Sequence, residues 1–372
     1  MAYISISSDL KRKKWMREGL IQAASKSFWS PYTGTGDNAV VKQANNLNAD
    51  AGHTVVFDYD GNLAGKAVKG SNTAYGTGEE KRKFSNKITV ERYRLVASNG
   101  DAFDAVDVGD LSLSQHEDSR AKLGDLFVRF KDQAIFDSVQ GVKGSTPTHI
   151  IDLTATFDYN TLITLEEKIK NGGPFTTGSA RRPLVPYTLA NGQPCWIFVI
   201  DSSMARMLKV SSGYQAMVYQ ADVRGNDNRA IKGVIGKIGN LIIVEADSFF
   251  GATDSAASTF TLDKNSVEIA GLRKKDTGGL WTGQTGYDPT TDQISRGVIL
   301  GANAVQLAFG KMPDYKFQAS TDFGITSESA LEVWMECQKT ILAAELGGDY
   351  TQGKVAGTDW GVIAVDVKSI DV

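Results

Sequence analysis

The 372-residue chain carries 40 Lys and Arg against 43 Asp and Glu, for a formal charge of -3 and a pI of about 5.8. That balance excludes a general basic surface for gripping nucleic acid, and the length supports about two domains whose cores need no disulfide or metal staple. The 38 glycines exceed the usual share of roughly 7% and predict many tight turns.

In chain order, Asp9 opens a predicted amphipathic helix over 9–25, with Leu10, Met16, Leu20 and Ala24 near helical spacing. From Phe28 to Asp50, Pro31, Gly34, Gly36 and an Asn-rich run predict loop or extended arm, so the first fifty residues have little core of their own. Strands are expected at His53–Phe57 and Lys87–Ser98. In the second, Ile88 and Val90 share one face and Tyr93, Leu95 and Ala97 the other, a change of phase that predicts a bulge or bend near Glu91 and Arg92. Residues 58–86 between them hold five glycines and nine charged residues. Connections beyond about 12–15 residues are uncommon inside a domain, so this one is either disordered or ordered against something outside its own domain.

The clearest helix is expected at Gln115–Val139, with Leu123, Phe127, Phe130, Ala134 and Ile135 as its apolar stripe and Gly141 and Gly144 as its stop. A second follows at Thr161–Lys170, opened by Asp158 or Asn160 and closed by Gly172, Gly173 and Pro174. Trp196–Ile200 reads as a buried strand, Ser203–Leu208 and Gly213–Asp222 as helices, and Leu241–Val244 as another strand. Residues 251–296 are polar, with glycines around Trp281. A helix is expected at Gly297–Phe309, with Val298, Ala302, Val305 and Phe309 on one face. Alternation of Leu331, Val333, Met335 and Cys337 with polar residues favours a strand, and Trp360–Val365 a closing one.

No motif for chemistry withstands comparison with the plainer reading. Gly34-Thr35-Gly36-Asp37-Asn38-Ala39 fits G-x-G-x-x-A, but Pro31 precedes it and an Asn-rich loop follows, where a dinucleotide site needs a strand and a helix. Asp58-Tyr59-Asp60-Gly61-Asn62 has its glycine too early for a calcium loop and reads as a turn. His53, His116 and His149 stand apart from one another and from any cysteine at zinc-ligand spacing. Cys195 and Cys337 lie in apolar contexts that suit buried thiols. Asp101, Asp104, Asp107 and Asp110 read as a solvated loop face. No catalytic, cofactor-binding or metal-ligating residue is assigned, and no apolar run reaches the roughly 18 residues of a membrane span. Two basic clusters, Lys11–Lys14 with Arg17 and Lys81–Lys83, lie in segments too poor in apolar residues to form a core; an arm of that kind stays ordered by lying on a partner.

The order of elements, namely an N-terminal arm, a long polar hairpin, one long helix and a later α/β part with a glycine-rich insertion, resembles the major capsid proteins of tailed bacteriophages. Shorter stretches carry the likeness further and are similar to a podophage-type family: Trp196–Asp201, Met207-Leu208-Lys209, Tyr214–Gln220, Arg224-Gly225-Asn226, Gly233–Gly239, Leu300–Ala304, Ala308-Phe309-Gly310 and Asp359–Asp366. The chain departs from that family at Asn228-Arg229, where members often carry Asn-Pro, and at Trp360, where they carry Phe. The resemblance implies an α+β fold with an N-arm at 1–48, an extended β-hairpin loop at 49–114, a peripheral domain with a spine helix at 115–185, an axial domain at 186–325 and a return to the peripheral domain at 326–372. It implies a non-enzymatic structural protein that assembles with itself into hexamers and pentamers of an icosahedral virion shell, in the host cytoplasm and without cofactor or membrane. Such a shell encloses double-stranded DNA without binding it specifically and takes scaffolding, portal or cement proteins as further partners. Inter-subunit contacts are expected at Trp15, Arg17, Lys69, Tyr75, Arg82, Lys83, Arg224 and Trp281. The alternatives are a cellular encapsulating shell of the same fold, a virion decoration or tail protein, and, in another class, a β-rich hydrolase with an acidic active site.

Overall fold

The computed structural model describes residues 27–44, 54–60, 67–78, 83–101, 111–140, 147–153, 157–176, 178, 183–189, 192–216, 234–246, 273–275, 293–321, 326–341 and 358–369. A 3-10 turn at Ser30–Tyr32 leads into β1 (Thr33–Gly34) and β2 (Val41–Ala44), followed by β3 (Thr54–Asp60), β4 (Lys83–Thr89) and β5 (Glu91–Asp101). Helix α1 (Leu111–Gln140) and β6 (Ile150–Leu153) precede α2 (Tyr159–Asn171), β7 (Tyr187–Thr188), β8 (Pro194–Ile200) and α3 (Ser202–Val210). Then come β9 (Val234–Ile238), β10 (Leu241–Glu245), β11 (Arg273–Lys275), β12 (Gln293–Leu300), β13 (Val305–Thr321), β14 (Thr326–Lys339) and β15 (Val362–Ser369).

These strands form a five-stranded sheet ordered β1-β2-β13-β14-β5 and an eight-stranded sheet ordered β6-β15-β12-β8-β10-β9, with β7 and β11 attached to β8 and β12. β3 and β4 make a separate two-stranded ribbon. The alternation of Leu331, Val333, Met335 and Cys337 turns those side chains of β14 toward the apolar stripe of α1, where Leu123, Phe127, Phe130 and Ile135 are buried with them. At 30 residues α1 is about 45 Å long, longer than its stripe alone predicts. Its second half is covered on all sides, so that Asp132, Gln133, Asp137 and Ser138 are buried as well.

The eight-stranded sheet divides two cores. Ile197 and Val199 of β8, Val298 and Leu300 of β12 and Val362 of β15 face the core that contains α1. Trp196, Phe198 and Ile200, with Ile299, Ile363 and Val365, face a second core closed by Leu162, Leu165 and Ile169 of α2 and by Met204, Ala205 and Leu208 of α3. A strand covered on both faces is apolar without a period of two, which is why 297–309 reads as a helix in sequence. It is instead the end of β12, a turn at 301–304 and the start of β13. The turn holds Asn303 at φ 53, a left-handed conformation that asparagine tolerates better than most residues. Gly361 packs against it so closely that a Cβ there would lie 2.5 Å from the Ala304 Cα.

Sequence expectation and structure agree at the smaller helices. Asp158 caps α2 by accepting from the Thr161 N–H at 2.9 Å, and Gly172 ends it in the left-handed region at φ 71. Asp201 caps α3 through the Met204 N–H at 2.8 Å. Both cysteines are buried free thiols. The expected helix at Gly213–Asp222 is described only to residue 216, and the helix over 9–25 and the loop 102–110 lie outside the described residues.

Residues 27–44 depart from their reading as loop. Trp29, Val40 and Val41 are fully buried, Trp29 against Phe28, Tyr32 and Phe136, and β2 extends the five-stranded sheet in parallel with β13 through the pairs Val41↔Val305 to Ala44↔Ala308. Pro313 lies in β13 where its register with β14 breaks between Lys311 and Asp314, a place where its missing N–H costs no ladder bond.

Three charge groups, each centred on a buried carboxylate, tie neighbouring elements together. Arg296 of β12 is bidentate to Asp366 of β15, with both contacts at 2.6 Å, and donates to the Gln140 carbonyl at the end of α1 at 2.9 Å. Lys339 reaches Asp359 at 3.1 Å, and Asp359 also accepts from the Thr148 N–H at 2.9 Å. On the face of the five-stranded sheet away from α1, Glu332 accepts from Lys316 at 2.6 Å, Arg92 at 2.8 Å and the Trp334 indole at 3.2 Å. The Lys316 contact first, then Arg92 and Trp334, hold its carboxyl down to about 2. A depressed carboxyl contributes stability that is complete above its unfolded value near 4.5 and is lost as pH falls through 2. Glu332→Gln is therefore expected to destabilise by about 1–2 kcal/mol at neutral pH, with the deficit closing toward pH 2, as read from denaturant midpoints across that range. A deficit independent of pH would contradict this.

Candidate assembly surfaces

The β3–β4 ribbon begins as a covered element and ends as an open one. Val55, Phe57, Ile88 and Val90 are buried with Ala308, Ala44 and Trp334 on the outer face of the five-stranded sheet, and Asn86 donates to Gln306 at 2.8 Å. The change of phase expected near Glu91 and Arg92 lies at Val90. There one continuous stretch leaves the ribbon as β4 and joins the sheet as β5, turning Tyr93 onto Phe130 of α1 with ring centroids 5.0 Å apart. The ribbon ladder runs from Thr54↔Thr89 to Asp60↔Lys83, seven pairs spanning about 24 Å. Beyond it, every residue from 67 to 78 is exposed, and Tyr75 is 96% exposed.

A tyrosine left this open in the free subunit brings a large, stiff apolar ring to whatever the tip meets, the kind of side chain that anchors interfaces. Gly70 and Gly76, at φ 67 and 84, fold the tip through left-handed turns. Lys69 is exposed beside the first of them, and Val68 is 39% exposed. Thus two of the expected contact residues, Lys69 and Tyr75, come together on one tip. Lys83 is the first residue of β4; Trp15, Arg17, Arg82, Arg224 and Trp281 lie outside the described residues.

A second candidate surface is the segment that opens the described residues, 27–44. Asp132 of α1 accepts from the Ser27 hydroxyl and from the Phe28 N–H, both at 2.7 Å. Burial pushes the Asp132 carboxyl up, and the Ser27 bond is the first of the contacts that oppose it. Asn38 and Thr188 exchange two hydrogen bonds, at 2.7 and 2.8 Å. Ser27 and Phe28 are thus fixed to α1, and Asn38 to β7. Sequence reasoning missed Asp132 and Asn38; the adjacent Phe28 and Trp29 were the available signal, since two large rings in a polar stretch need cover.

Among the described residues, no group of three His, Cys, Asp or Glu side chains is placed to hold a metal ion, and no helix is long and apolar enough to cross a membrane.

Residues 3–170 match the profile of a family described as phage capsid protein. No curated protein matches the chain. Among solved structures it is similar to the capsid of Ralstonia phage GP4, at 18% identity and a TM-score of 0.66 over 93% of this chain and 92% of that one. It is similar to the head structure of Helicobacter pylori bacteriophage KHP40, at 17% identity and a TM-score of 0.69 over 93% and 91%. The capsid asymmetric unit of cyanophage Pam1 aligns over 99% of both chains at 13% identity and a TM-score of 0.61. The fold is therefore the α+β fold of tailed-phage capsid proteins.

Proposed function

We propose, from this fold and the family match, that the chain is a phage major capsid protein whose copies assemble into the closed shell of a virion. The observation that carries the reading is the ribbon, a rooted arm whose fully exposed tip finds no cover on its own subunit among the described residues. A protein that works by self-association needs rigid frames and reaching arms, and this chain has both.

In this reading residues 1–48 and 49–114 are arms that tie neighbours together, with the contacts of the latter at Lys69, Tyr75, Arg82 and Lys83 and those of the former at Trp15 and Arg17. Residues 115–185 and 326–372 belong to the peripheral domain. Residues 186–325 form the axial part of hexamers and pentamers, where Arg224 and Trp281 meet the next copy. Subunits join head to tail, heterologous contacts that close into rings by rotation, and many weak arm contacts then add through effective concentration. The near-balanced charge suits a container of double-stranded DNA, because a strongly basic lining would bind the genome tightly in a salt-dependent way. Scaffolding, portal or cement proteins are the further partners such a shell takes during assembly in the host cytoplasm.

Expression of the full chain, with sedimentation and electron microscopy of the product, tests the proposal. Closed shells of multi-megadalton mass are expected. A protein that stays monomeric under every assembly condition, and is absent from the particles of its source, would overturn it.

A further inference from the structure

A row of ionisable side chains crosses the eight-stranded sheet where β6, β15 and β12 lie side by side. Asp152, Asp366 and Arg296 are register partners on the three strands, so they project from one face at the strand spacing of about 4.8 Å. Arg296 is committed elsewhere than to Asp152: its Nε and Nη2 hold both oxygens of Asp366, and its Nη1 holds the carbonyl of Gln140. The half-buried Asp152 carboxyl stands beside a pair already neutral, and no donor among the described residues hydrogen-bonds to it.

β6 is also a short strand at one end of the sheet order. It has four residues and a single strand neighbour, β15. On its other side Thr176 holds it, donating its N–H to the Ile150 carbonyl at 2.9 Å and accepting the Asp152 N–H at 3.0 Å. A repulsion at the third residue of so short a strand acts on a large part of its hold.

We propose that Asp152 is a proton-operated latch that fastens β6 to β15. Protonated, its carboxyl is a neutral O–H donor for which Asp366 is the adjacent acceptor, and the edge strand is held. Ionised, it places a second negative charge next to Asp366 across the ladder, and β6 loosens. Among the described residues, the groups that face it are Asp366 from β15 and Arg296 from β12, with the Gln140 carbonyl of α1 behind Arg296; Lys339 of β14 is occupied by Asp359. Burial first and Asp366 second raise the Asp152 carboxyl to about 6, against the pull of Arg296. For a raised carboxyl the folded state holds the proton more tightly than the unfolded chain. The penalty on β6 is therefore absent below the unfolded value near 3.8, grows as pH rises, and is complete above about 6.

Hydrogen exchange of the full-length, unassembled subunit at about pH 5 and about pH 7.5, corrected for intrinsic exchange chemistry, tests the latch. Protection of β6 relative to the central strand β8 is expected to be about tenfold higher at the lower pH in the wild type. In Asp152→Asn that ratio should be high at both. Asp152→Ser, which removes the acid without the bulk of an amide, should likewise show no pH step. A wild-type ratio that does not change, or a step that survives in either variant, would overturn the proposal.

Discussion

Arg296→Met is expected to destabilise the subunit by about 3–5 kcal/mol, because it leaves the Asp366 carboxylate buried with no cation. The two side chains are 3% and 1% exposed, so water offers little relief. The change also strips the Gln140 carbonyl of the guanidinium that ends α1. The double variant Arg296→Met with Asp366→Asn removes both charges and should regain most of the loss, because an isolated buried charge costs more than a missing pair. Denaturant unfolding of wild type, both single variants and the double variant measures this as a coupling energy. A single-variant loss below about 1 kcal/mol, or a double variant no better than Arg296→Met, would show that the pair is not what holds β12, β15 and α1 together.

Replacing residues 61–82 by an Asn-Gly turn is expected to leave the subunit folded and to abolish shells. The turn joins Asp60 to Lys83, the last pair of the ribbon ladder, and a two-residue Asn-Gly loop suits an antiparallel pair. Every buried residue at the ribbon root, Val55, Phe57, Ile88 and Val90, is retained. What disappears is the exposed tip with Lys69 and Tyr75. If the tip supplies an anchor of roughly 2–4 kcal/mol at each contact, its loss weakens each association step by about 30- to 1,000-fold, and a closed shell needs all of them at once. Unchanged unfolding midpoints with no particles in sedimentation is the expected pair of results. Normal particles would remove the arm from the account of assembly.

Much of this frame is legible in the sequence because α2, β14 and the first half of α1 set polar residues opposite an apolar face. The periods of α1, α2 and β14 survive into the structure for that reason, and so does the change of phase at Val90, where a strand passes from one sheet to another. The stretch 297–309 is not legible. Val298 and Leu300 serve one core and Ile299 the other, so no polar side marks the period and the apolar run imitates a helix. Residues 28–44 mislead in the opposite sense. Glycines, Pro31 and polar residues mark a loop, but Trp29 and Val40-Val41 need a cover supplied by residues a hundred or more positions away, such as Phe136 and Val305. The tip could be read as reaching outward because its length and polarity ruled out a core. The clamp on Asp132 could not, since one buried aspartate on a helix is visible only once its partners are placed.

The position of β15 bears on when the protein becomes able to do anything. It lies between β6 and β12, and among the described residues β6 pairs with no other strand. A ribosome that has released β6 must still make the residues up to 369, on the order of 10–40 s at ordinary rates of synthesis, before that sheet can close. Through that interval the N-terminal arm and the hairpin are already made while the frame they reach from is incomplete. If copies of the chain associate as proposed, the competence to do so would arrive late, with translation of the strand that completes the sheet.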